Sequence, residues 1–205
     1  MNALADQRVA DYLNESFVCT YLKVGTFQVV KGQKQGGNVA SYFCLHDGGV
    51  LHVVPGQVNA DKLLAESRWA YETRKAARTV ATNLVRETTD MKKYKDQVTR
   101  AHAERYYLEQ QLMAGMMPGG MMQGGMNQGG MQQGGGMMQG PVLNVPLGKN
   151  GSVLLPGSLP RHLVPQSQAH WLLARQPLAK LDTVYPVVWT QMLNEQLSTL
   201  PVVKR

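Results

Sequence analysis

Leu4, Val9, Tyr12 and Leu13 recur at a spacing that gathers them on one face of a short amphipathic helix. Asn14 can end it, because asparagine tolerates the left-handed conformation. Phe17 to Val24 is rich in β-branched and aromatic residues and predicts a strand, which Phe27 to Val30 extends or follows. The run KGQKQGGN reads as a polar glycine-rich loop. Val39 to Leu45 predicts a second strand, His46-Asp47-Gly48-Gly49 a turn, and Val50 to Val54 the antiparallel partner, stopped by Pro55-Gly56. Asn59 or Asp61 can cap a helix that begins near Ala60.

From Ala60 to Met113 there is neither proline nor glycine, and Ala, Leu, Glu, Lys, Arg and Gln dominate. A single helix over that span is about 80 Å long, more than a small domain buries. Leu63, Leu64, Ser67 and Trp69 belong to a part that packs on the sheet. Beyond them a heptad appears, with Ala77, Leu84, Met91, Val98, Arg105 and Leu112 at one position and Val80, Glu87, Tyr94, Ala101 and Leu108 at its partner. It predicts a coiled coil, homodimeric or within the chain. Glu87 and Arg105 interrupt it, and Thr88-Thr89-Asp90 is a place for the helix to break into a hairpin. His102 lies beside the seam, where a solvated or hydrogen-bonded role outweighs catalysis.

Gly115 to Gly140 is an uncharged array of glycine, methionine and glutamine. Glycine at that density offers few side chains to pack, so the tract reads as a flexible linker. Methionine also suits adaptable recognition, and thioethers bind soft copper(I). Met116, Met117, Met121, Met122, Met126, Met131, Met137 and Met138 are the candidate ligands for that ion. After Pro141 the chain alternates prolines, glycines and short aliphatic runs, with strand-like pieces at Val142–Val145 and Ser152–Leu155. Helices are predicted from Ser167 to Arg175 and from Pro186 to Leu197, with Pro186 in the first turn of the second. Trp171, Leu172, Tyr185, Val188, Trp189 and Leu193 form an apolar cluster that either covers the N-terminal sheet or meets a partner.

The segments LNESFV, YFCLHDGGVLHVVPG and NADKLLAESRW follow the order helix, strand, hairpin, helix. That order resembles the middle and C-terminal part of a thioredoxin-like domain over roughly residues 9–69. The resemblance implies an α/β fold and a divergent, non-catalytic member. No Cys-x-x-Cys occurs in the chain, and Asn38-Val39 stands where the family carries its cis-proline. The family's first strand also lacks a source ahead of the first helix. A segment after Pro141 fills it, the chain start lies upstream, or the fold is a variant. The organisation expected is a thioredoxin-like unit over 1–72, a long helix over 73–113, a linker over 114–141, and an extended segment with short helices over 142–205.

Charge adds little. The net +7 is spread along the chain, and Asp90 and Asp96 flank the tightest basic run, Lys92, Lys93 and Lys95, so that run reads as a solvated face rather than a nucleic-acid site. No run of eighteen apolar residues predicts a membrane span, and MNALADQRVADYL lacks the basic start of a signal peptide, so the cytoplasm is the default compartment. Cys19 and Cys44 each fall in a predicted strand and read as reduced, buried small hydrophobes, with a disulfide or a reactive thiol as alternatives. His46, His52, His102, His162 and His170 show no metal-site spacing, and no catalytic, cofactor or metal residue is assigned. A Cys44–His52 contact is conceivable across the hairpin, and Asp47 serves the turn. The function expected is a non-catalytic interaction or scaffold protein, self-associating or meeting a protein partner through helix 73–113 and the C-terminal tryptophans. The rivals are thiol redox chemistry at Cys19 or Cys44 and copper(I) binding by the methionine tract.

Overall fold

A computed structural model describes residues 3–21, 28–30, 33–35, 38–83, 88–115, 145–148, 152–195 and 197. The first helix, α1 (Gln7–Ser16), is capped by Asp6, whose carboxylate accepts the Arg8 N–H at 3.0 Å. It runs two residues past Asn14 and closes where the Phe17 N–H donates to the Leu13 carbonyl. Its apolar stripe buries Val9 and rests Tyr12 and Leu13 against Phe43, Leu63 and Leu64.

The strand expected from Phe17 to Val24 does not form over the described residues 17–21. No neighbouring strand pairs its backbone there, and Val18 and Tyr21 stand exposed at 102% and 79%. Strands β1 (Gln28–Val30) and β2 (Gln33–Gln35) pair antiparallel, so the stretch read as a loop carries a short strand of its own. The expected hairpin is present as β3 (Ala40–Cys44) and β4 (Val50–Pro55), with Tyr42 opposite Val53 and Phe43 opposite His52. The register shifts after Phe43, so that Cys44 faces Val50 and Leu51 is the extra residue. Gly48 supplies a φ of +81° in the connecting turn, and Asp47 Oδ1 accepts the Gly49 N–H at 3.0 Å, the turn role expected of it.

Every residue of β4 is buried, because the strand is covered from several sides. Val54 packs with Phe43, Leu63 and Ala70; Leu51 packs with Ala77, Tyr94 and Val98. Val50 and Val53 pack with Tyr106, Trp171, Leu173 and Val184.

The span after Ala60 is two helices rather than one. Helix α2 (Ala60–Ala81) starts at Asn59, whose Oδ1 accepts the Lys62 N–H at 2.8 Å. It ends in β5 (Thr82–Asn83), which pairs antiparallel with β6 (Thr88–Thr89) ahead of α3 (Met91–Gly115). Thr88-Thr89-Asp90 thus breaks the helix: β-branched residues take the extended pair, and Asp90 Oδ1 accepts the N–H groups of Lys92 and Lys93 at the start of α3. The two helices pack together through Ala77, Ala81, Tyr94 and Val98, small residues against large ones. The heptad therefore does not form one continuous seam; Val80, Met91 and Leu112 are exposed, while Leu84 and Glu87 lie outside the described residues.

Helix α4 (Pro165–Arg175) opens with Pro165 in its first turn and lies against both α3 and β4. Helix α5 (Leu181–Val187) begins earlier than the sequence predicts, which puts Pro186 inside it. Proline has no N–H to give, and the chain widens into a π turn over Val188–Met192, closed by the Leu193 N–H on the Val188 carbonyl. Trp171 and Trp189 are both buried, so the C-terminal aromatic cluster forms part of the chain's own core. Lys180 fixes this segment to the hairpin turn through Asp47 at 2.9 Å, and the Val50 N–H donates to the Ala179 carbonyl. Residues Ser152–Leu155 do not join the β3–β4 pair; Val153 bridges Leu147 instead. Among the described residues no helix is long and apolar enough to cross a membrane.

Because Leu173 is fully buried between α4 and β4, Leu173→Ala should lower the unfolding free energy by about 2–5 kcal/mol. Urea unfolding checks this: a loss below about 1 kcal/mol would mean that α4 is not part of the core.

Candidate functional site

Three histidines read separately in the sequence meet in the interior. His52 comes from the middle of β4, His102 from α3 and His170 from α4, and each is 0% exposed. Each sits on an inward stripe. In α3 the stripe is Tyr94, Val98, His102 and Tyr106, at steps of four; in α4 His170 lies among Ala169, Trp171, Leu172 and Leu173. The three rings form a near-equilateral triangle, with centroid separations of 5.7, 5.2 and 5.1 Å. One nitrogen from each ring lies within 4.8 Å of the others, close enough to address one transition-metal ion. Trp69 presents an edge-to-face contact to all three, at 4.7, 5.0 and 5.2 Å, and Arg105 lies over its indole at 5.1 Å.

The hydrogen bonds fix where each neutral ring carries its proton. His102 Nε2 lies 2.8 Å from the Leu51 carbonyl, which only accepts, so that nitrogen bears the hydrogen and Nδ1 the lone pair. His102 Nδ1 lies 2.9 Å from His170 Nδ1, which must therefore donate. His52 Nε2 donates to Glu66 Oε2 at 2.9 Å, leaving His52 Nδ1 as a buried acceptor without a hydrogen-bond partner. His170 Nε2 faces the Gln166 amide at 3.4 Å and Glu109 Oε1 at 3.9 Å. An unpaired buried acceptor costs about 1–3 kcal/mol, which makes the His52 Nδ1 atom the anomaly of the cluster.

Glu66 is the anionic partner. It lies on the apolar stripe of α2 between Leu63 and Ala70, 1% exposed, with Lys62 Nζ at 2.7 Å and Arg105 at 3.7 Å from its Oε1. Burial alone would raise its pKa, but the His52 hydrogen bond and the two cations outweigh that and hold the carboxyl at about 2. Burial lowers all three histidines, His102 to about 3 and His170 well below its ordinary value, so the cluster is uncharged beside an ionised Glu66. Burial raises Glu109, whose Oε2 accepts from the Ser167 hydroxyl.

The remaining candidates stay apart. His46 and His162 are exposed. Both cysteines are free and exposed rather than buried. Cys19 follows α1 on a stretch without a pairing strand, and Cys44 ends β3. The Cys44 thiol is raised, by partial removal from water and then by Asp47, which opposes thiolate formation. His52 stacks on Phe43 at 5.8 Å, its partner across the ladder, and not on Cys44. The methionine ligand set Met116–Met138 lies outside the described residues. Comparisons with protein-family profiles, with curated proteins and with solved structures returned no match.

The histidines and Glu66 make stability depend on acid. A histidine whose folded pKa is depressed binds its proton in the unfolded chain first, so stability falls as pH drops below about 6.5. Each contributes up to about 1.4 kcal/mol per pH unit until its folded pKa is reached. Glu66 acts in the same direction below about 4.5, and Glu109 opposes it over that carboxylate range. Thermal midpoints recorded by circular dichroism on metal-free protein should fall steeply between pH 6.5 and 5; a flat profile there would contradict buried neutral histidines.

Proposed function

We propose that this chain is a non-catalytic binding or scaffold protein, in which segments from both sides of the methionine–glycine–glutamine tract form one body. The observation that carries this reading is the closure of its titratable cluster. His52, His102, His170 and Glu66 are shut inside the core, where no reacting group reaches them without local opening. Their hydrogen bonds link β4, α2, α3 and α4, the work of a structural hub.

The finer fold reading, a divergent thioredoxin-like unit without Cys-x-x-Cys, draws support from the order of β3, β4 and α2, with α1 ahead of them. Its redox chemistry does not: an attacking and a resolving thiol need to be poised together, whereas Cys19, in the irregular stretch after α1, and Cys44, at the end of β3, are both free, and the Cys44 thiol is raised. Self-association, proposed through helix 73–113, would use the residues of α2 and α3 that their mutual packing leaves exposed, Val80, Met91 and Leu112.

Disulfide-reductase turnover of the wild-type chain should equal that of the Cys19→Ser/Cys44→Ser double variant. Turnover above that background and lost in the double variant would replace this proposal with the thiol-redox one.

A further inference from the structure

We propose that His52, His102 and His170 bind one divalent transition-metal ion of the zinc class through their three Nδ1 atoms. The ion would tie β4, α3 and α4 together. This goes beyond the scaffold reading and does not depend on it.

The proton count of the cluster is the first argument. Three neutral imidazoles carry one N–H each. His52 gives its own to Glu66, His102 to Leu51, and His170 to His102. All three hydrogens are then committed, and the buried His52 Nδ1 lone pair has no donor. A cation is the partner that such a lone pair accepts without any further proton.

The outer contacts are the second argument. Histidines that ligate metals characteristically direct their other nitrogen, as N–H, to a carboxylate or a backbone carbonyl. His52 Nε2 on Glu66 and His102 Nε2 on the Leu51 carbonyl already stand that way, with both Nδ1 lone pairs free of protons. Leu51 is the extra residue at the register shift of the hairpin, so an irregularity of β4 coincides with the acceptor that orients His102. Only His170 has to change. Its proton moves from Nδ1 to Nε2, where the Glu109 Oε1 acceptor lies 3.9 Å away; the Gln166 amide nitrogen at 3.4 Å is a donor, and it gives up its contact with that ring nitrogen while keeping the Val53 carbonyl. The proton stays on the same ring, and the ion replaces the single hydrogen bond between His102 and His170.

The spacing is the third argument. Zinc–nitrogen bonds of about 2.0–2.1 Å in a tetrahedron put the nitrogens about 3.4 Å apart. The Nδ1 atoms of His102 and His170 stand 2.9 Å apart, and one nitrogen from each of the three rings lies within 4.8 Å of the others, a range that includes the required distance. Three protein ligands leave the fourth position for a water molecule or a small anion. The charges around the ligands are Glu66 and Glu109 against Lys62 and Arg105, so the neighbouring side chains neither favour nor oppose a cation by a large net charge.

Cobalt(II) titration of the full chain, stripped with chelator, tests the site. The expected result is one equivalent bound per chain, with the visible absorption of a nitrogen-ligated tetrahedral ion. Zinc should displace it, and the thermal midpoint should stop rising at one equivalent. His170→Gln and His102→Gln should abolish this binding, while the Cys19→Ser/Cys44→Ser variant and a chain lacking residues 116–140 keep it. No saturable binding by the folded wild type overturns the proposal, as does binding that survives both histidine substitutions. Should those variants fail to fold, nitrogen-15 spectra of histidine-labelled wild type decide. On adding zinc, the three Nδ1 resonances should move together and His170 should exchange Nδ1–H for Nε2–H; unchanged ring resonances overturn the assignment. The reductase comparison is unaffected by either outcome, so the two proposals fail separately.

Discussion

The structure depends on burying a histidine in the middle of its most enclosed strand. A strand covered from all sides normally carries only aliphatic side chains, and β4 does so at Val50, Leu51, Val53 and Val54. His52 interrupts that run with two ring nitrogens that must be satisfied where water does not reach. Glu66 from α2 answers one of them, Nε2, while His102 from α3 and His170 and Gln166 from α4 pair with one another and with the strand's carbonyls, leaving His52 Nδ1 without a hydrogen-bond partner. Gln166 also donates to the Val53 carbonyl, so α4 holds the strand by its backbone as well as by apolar packing.

This polar centre sits at the junction of three apolar groups. Phe43 and Leu63 lie in one, Tyr94 and Val98 in the second, Leu173 and Val188 in the third, and β4 contributes to each of them. Purely apolar packing would tolerate sliding of one group past another, because dispersion contacts have little direction. Hydrogen bonds do not tolerate it, and a carboxylate that must meet His52, Lys62 and Arg105 at once permits few arrangements. Buried ion pairs stabilise weakly on balance, since desolvation offsets the attraction. The effect that follows from Glu66 is accordingly one of register, in that it selects how α2 and α3 sit on the hairpin.

Much of the local structure was legible because it rests on local chemistry. The cap at Asn59, the turn at Asp47-Gly48 and the break at Thr88-Thr89-Asp90 each follow from a side chain acting within a few residues. The strand expected at Phe17–Val24 depends instead on a partner, and β propensity without one leaves Val18 and Tyr21 in solvent. Pro186 misled for a related reason, since a proline suits a first turn but the residues before it start the helix earlier. The site was the least legible part. His52, His102 and His170 are separated by 50 and 68 positions, and no linear spacing joins them. Signals were nonetheless present: a histidine inside an aliphatic strand, and Glu66 and His102 on the apolar stripes of their helices.

The arrangement around Trp69 makes the centre optically visible. Its indole meets all three imidazoles ring to ring, whereas Trp171 belongs to the apolar group beyond them and Trp189 is buried against Tyr185. An excited indole gives up its energy readily to a protonated imidazole in contact with it, and much less to a neutral one. The chain therefore contains an intrinsic fluorophore whose brightness reports the charge state of its own core, readable in dilute solution without any label.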